Sequence, residues 1–175
     1  MTDEMEVEWV EMLTNLGACP EAITWARGYP DLAAAWAVCE RGDWMLWLAG
    51  KLSGPPDNPS RKRLVLAACE CARLVLVHVP AGEDRPRIAI ETAERWARGE
   101  AGVTLADVRA AYADAHVAAY AYAAAAHAAY AAIYAAYATT AADAADATRT
   151  RMFPTCADIV RRHYPTPPIK EVANG

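Results

Sequence analysis

The chain has 175 residues, a net charge of −5 and an apolar fraction of 55% that leans on alanine and tryptophan, with one phenylalanine in all. That length suits a single domain whose core can stand without staples. The acidic balance argues against a general nucleic-acid binder, which needs excess Lys and Arg to displace counterions from phosphates, and the scarcity of strand formers makes an all-α fold the expectation.

Charge is unevenly spread. Residues 1–58 hold ten acidic and three basic side chains, net −7, and residues 59–99 hold eight basic and five acidic, net +3. Such asymmetry reads either as two faces that attract each other across the fold or as an interaction surface.

In chain order, EMEVEWVEMLTNL has acids in its opening turn, which suits the positive end of a helix dipole, and Gly17 ends it. PEAITWARGY starts on Pro20, where a missing N–H costs nothing, and stops at Gly28; PDLAAAWAVCERG repeats the device from Pro30 and Asp31 to Gly42. DWMLWLAGKL is expected to start from Asp43 as N-cap. Its Trp44 and Trp47 read as a core-packing cluster rather than an aromatic ligand box.

SGPPDNPS is the clearest loop. After it, a helix of about 19 residues from Asn58 or Ser60 reads as the central one, because it is apolar nearly all round. Glu70 and Arg73, three residues apart within it, are expected to pair. GEDRPRIAIETAERWARGE predicts a helix capped by Asp84, with Ile88, Ala89, Thr92, Ala93 and Trp96 on its inner face. Arg61, Arg63, Arg85 and Arg87 are candidate anion-binding residues of this basic middle.

Thr104-Leu105-Ala106-Asp107 is close to a capping box and opens an alanine-rich segment read as one long helix over 104–152. At 1.5 Å per residue it would be roughly 70 Å long, so it must bend, protrude or meet a partner. Tyr120, His127, Tyr130, Tyr134 and Tyr137 fall on one stripe of it, on an alanine bed that permits close approach. They are the candidate binding residues for a protein partner or a second copy. FPTCADIVRRHYP predicts a short helix over 154–164 with Thr155 as N-cap, and a flexible tail follows over 166–175. The sum is a single helical domain over 1–165, a bundle of about seven or eight helices in which 1–58 are short and acidic and 59–99 supply two core helices.

No metal site is expected: Cys69-Glu70-Cys71 is not a Cys-x-x-Cys pair, His78 alone does not complete a zinc site, and His116 and His127 stand about three turns apart. No cofactor and no catalytic residue are expected either, since capping, pairing or packing already accounts for Glu70, Asp84 and His78. Five cysteines and an acidic start, MTDEMEVEWVEML, without a leader pattern predict a cytoplasmic protein. The most apolar run, LVLAACECARLVLVHV, is broken by charge, so no membrane span is expected.

The succession CERGDWMLWLAGKL, RKRLVLAACECARLVL, GEDRPRIAIETAERWARGE, the alanine and tyrosine repeat, and CADIVRRHYP resembles the small immunity proteins of bacterial polymorphic-toxin loci, in or near immunity family five, and related phage and prophage sequences. The resemblance covers about residues 39–165. It implies a non-catalytic protein that binds and neutralises a cognate toxin, with Glu4, Glu6, Glu8, Glu11, Glu40 and Asp43 available to a basic toxin cleft. Two alternatives compete: a phage-encoded anti-defence protein that binds a nucleotide-like molecule through the arginines, and a helical assembly protein that oligomerises through the tyrosine stripe.

Overall fold

A computed structural model describes residues 2–74, 76–79, 81–115 and 151–169. Among the described residues the chain is all-α, with eight α-helices and no strand: α1 (Thr2–Asn15), α2 (Pro20–Ala26), α3 (Leu32–Val38), α4 (Gly42–Leu52), α5 (Pro59–Arg73), α6 (Arg85–Ala97), α7 (105–115) and α8 (151–163). A 3-10 turn, Leu76–His78, follows α5. The chain divides into two compact units, Met1–Ala67 with Phe153–Gly175, and Ala68–Met152. No helix among the described residues is long and apolar enough to cross a membrane.

Local chemistry sets most of the helix ends. Gly17 has φ +86°, a conformation that favours glycine, and there the Ala18 N–H donates to the Leu13 carbonyl and the Gly17 N–H to that of Thr14, both at 3.0 Å. This paired closure satisfies carbonyls that the end of α1 would leave open. Gly99 closes α6 in the same way, with bonds from Glu100 to Arg95 and from Gly99 to Trp96. Asp31 caps α3 by accepting from the Ala34 N–H at 2.7 Å, and Asn58 caps α5 by accepting from Ser60 at 2.8 Å. Thr104 and Asp107 do form the capping box of α7: the Thr104 N–H donates to Asp107 Oδ2 at 2.7 Å and the Asp107 N–H to Thr104 Oγ1 at 3.3 Å.

Several expectations are corrected. Gly42 does not end α3 but is the first residue of α4, and Arg41, not Asp43, is its N-cap residue. The end of α3 needs no glycine because Arg161 of α8 donates to the carbonyls of Cys39 at 2.6 Å and Trp36 at 3.3 Å. The helix expected to reach His78 stops as α5 at Arg73. Residues 151–163 form one helix that passes through Pro154, so Thr155 is not an N-cap. Pro168, in the segment read as a flexible tail, is buried.

The first unit holds the apolar core. Trp36, Met45, Ala49, Ala157, Val160 and Tyr164 are all 3% exposed or less, so α3 and α4 meet α8 there although more than a hundred residues separate Ala49 from Ala157 in sequence. Trp44 and Trp47 are half-buried at its edge, and Met45, Leu48 and Ala49 anchor α4 instead.

In the second unit, Arg73 donates through Nε and Nη2 to the two carboxylate oxygens of Glu94 at 2.8 and 2.9 Å, and Arg98 adds a bond at 3.3 Å. Glu94 of α6, rather than Glu70, is therefore the carboxylate in this bidentate pair. It turns the buried face of α6 onto Glu94 and Ala97 and leaves Ile88, expected inside, 47% exposed. The Arg73 hydrogen bonds, with the charges of Arg73 and Arg98, hold the Glu94 carboxyl below its usual range against the opposing effect of burial. A carboxyl depressed in the folded state contributes stability above its unfolded value, about 4.3, and loses that contribution as pH falls through the folded one. Glu94→Gln is expected to cost about 1–2 kcal/mol at pH 7, discounted because both arginines remain partly in water. Melting curves across pH should show the gap between variant and parent closing below about pH 4; a gap unchanged to pH 3 would contradict the pairing.

The greater part of the segment expected to form one helix over 104–152, with Tyr120, His127, Tyr130, Tyr134 and Tyr137, lies outside the described residues.

Candidate functional site: a tryptophan-lined cleft

The first unit contains a cleft of about 380 Å³ whose wall includes five of the six tryptophans of the chain: Trp9, Trp25, Trp36, Trp44 and Trp47. Its volume falls at the lower end of the roughly 300–1,000 Å³ of small-molecule sites. The wall follows from the short helices. Each of α1, α2 and α3 presents one tryptophan and α4 two, and helices of 7–14 residues must be held by such packing rather than by propensity.

The rings are ordered by specific contacts. Trp25 lies 4.6 Å from Tyr29 and 5.8 Å from Trp44 between ring centroids, in tilted arrangements. The Arg41 guanidinium continues the stack, 4.1 Å from the Trp44 centroid and 4.7 Å from that of Phe153. The Trp36 Nε1–H donates to the Tyr164 carbonyl at 2.9 Å. The Trp9 Nε1–H is buried without a partner.

One ion pair lies in the lining. Arg41 donates to both oxygens of Asp43, through Nε at 2.9 Å and Nη2 at 2.8 Å, and through Nη1 to Glu21 at 3.1 Å. The Asp43 hydrogen bonds push Arg41 further above its already high value, so the guanidinium keeps its charge. Cys39 also lines the cleft, and burial pushes its thiol up, which favours the neutral form. The chemistry on offer is stacking, shape and a fixed, internally compensated charge.

The arginines singled out in sequence have intramolecular work. Arg61 donates to the carbonyls of Gly54 at 2.9 Å and Gly50 at 3.0 Å, at the end of α4, where the helix dipole favours a cation. Arg63 stands 5.3 Å from the Tyr164 ring. In the second unit Arg85 is bound by Glu83 through Nε at 2.8 Å, and Arg87 by Asp84 at 2.9 Å and Glu91 at 3.0 Å. Asp84, read as a cap, makes no side-chain cap bond. An anion recruited here would compete with carboxylates already in place.

Among the described residues no group of three or more His, Cys, Asp or Glu is placed to hold a metal ion. Sequence reasoning missed the cleft. Its signal was the crowding of five tryptophans into residues 9–47, which no single motif expresses. Comparison with family models, with curated proteins and with solved structures finds no match for the chain.

Proposed function

We propose that the chain is a non-catalytic binding protein of the immunity type, which neutralises a cognate toxin by direct contact. The supporting observation is electrostatic. Glu8, Glu11, Glu21 and Glu40 of the first unit are exposed, whereas Arg41, Arg61 and Arg161 of that unit are turned onto its own carboxylates and carbonyls. Asp43, expected to face a toxin, is instead committed to Arg41. Exposed carboxylates beside internally engaged cations give a field that steers a basic partner and sets its association rate.

Mixing the purified chain with the toxin encoded beside it should give a stable complex by size-exclusion chromatography. The triple change Glu8→Lys, Glu11→Lys and Glu40→Lys should slow association about tenfold at low salt and much less at high salt. The absence of any complex would sink this reading. The nucleotide alternative draws less support, because the arginines it needs are already paired.

A further inference from the structure

We propose that the tryptophan-lined cleft is a ligand site for a small planar aromatic cation. This concerns the cleft alone and does not rest on the partner's being a toxin.

Three observations converge. The first is the wall: five indoles border a cleft of about 380 Å³, Trp9 and Trp36 from the core and Trp25, Trp44 and Trp47 partly exposed, which has room for a ligand of two or three fused rings. The second is the sign of the field. Indole faces are negative, and the protein already sets its own cations against them, Arg41 at 4.1 Å from Trp44 and Lys51, outside the lining, at 5.6 Å from Trp47. The third is the charge in the lining. Its guanidinium is matched by Asp43 and bonded again by Glu21, so Arg41 offers no uncompensated positive charge to an anion. A delocalised cation suits this setting because spread charge is cheap to desolvate and gains from the ring faces without needing a carboxylate in contact.

The test uses one ring system in three charge states: 9-aminoacridine as the cation, acridine as the neutral form and acridine-9-carboxylate as the anion. Tryptophan emission of the full chain is the readout, since five of its six tryptophans border the cleft. The cation should quench saturably and bind about tenfold tighter than the anion. Ala22→Phe, which puts a ring into the cleft from a half-buried lining position on α2, should weaken cation binding more than tenfold while helical circular dichroism is retained. Glu21→Lys changes a side chain that is 71% exposed, and should weaken the cation about fivefold and tighten the anion. Binding of the anion equal to or tighter than that of the cation, or no saturable quenching by any of the three, overturns the proposal. So does undiminished cation binding to both variants. Complex formation with the toxin is scored separately, so either reading can fail alone.

Discussion

Gly42→Ala is expected to destabilise the first unit by about 3 kcal/mol, whereas Gly50→Ala, in the same helix, should stabilise it by roughly 0.5–1 kcal/mol. A Cβ at Gly42 would meet the Cβ of Cys156, with the Ala157 nitrogen at 2.6 Å and the Cys156 carbonyl carbon at 2.7 Å. The last two are backbone atoms of α8 and do not rotate away. To admit one methyl group, α8 would have to retreat from α4. Ala157 and Val160 are fully buried there, and Arg161 reaches the end of α3, so a retreat would lose packing and hydrogen bonds together. At Gly50 the nearest atom to an added Cβ is Leu64 Cδ2 at 3.9 Å, an ordinary contact, and the backbone is helical. The chief effect of alanine there is a less disordered unfolded chain. Urea unfolding of the two variants should therefore move the midpoint in opposite directions; a shared sign would show that α4 and α8 do not meet at Gly42 as described.

Gly42 also shows why part of the fold was legible in sequence and part was not. Caps and stops encoded within a few residues were readable: Gly17, Asp31, Asn58 and the Thr104/Asp107 box each act on their own helix. Gly42 looked like the same kind of stop, but its reason is the backbone of residues 156 and 157, which no local pattern contains. Arg161 acts from as far away, replacing the missing C-terminal glycine of α3 across 122 residues. The bidentate partner of Arg73 was hidden for a related reason. Spacing of three allows a pair on one helix, but Glu94 offers Arg73 both oxygens from another.

The site was less legible than the fold. In sequence Trp44 and Trp47 read as a packing pair, which explains their inner edges but not the faces they leave partly exposed. A cleft is a property of several helices at once, and Trp9, Trp25 and Trp36 join it only after α1, α2 and α3 have been placed. The contacts of the basic residues were also hidden from the sequence. A run such as Arg61-Lys62-Arg63 suggests an anion site, yet helix periodicity sends Arg61 to the carbonyl end of α4 and Arg63 toward an aromatic ring.

Tyr164→Ala is expected to cost about 3–5 kcal/mol and Tyr164→Phe about 1–2 kcal/mol, the difference separating the ring from its hydroxyl. Tyr164 follows α8 and is 1% exposed. Its hydroxyl donates to the Ser60 carbonyl and lies 3.4 Å from Ser60 Oγ, in the first turn of α5, where Ser60 is 2% exposed. Removing the hydroxyl leaves those buried oxygens with one partner fewer, and water has little access to replace it. Removing the ring leaves a cavity between α5 and the end of α8. The Trp36 indole is held by the backbone carbonyl of Tyr164, an atom that phenylalanine retains. Tyr164→Phe should therefore lower the melting temperature yet leave tryptophan emission and cation binding in the cleft close to those of the parent. Tyr164→Ala should disturb all three, because the carbonyl shifts once the ring no longer fixes the chain. If Tyr164→Phe altered the emission as much as Tyr164→Ala, the hydroxyl rather than the buried ring would be what positions Trp36.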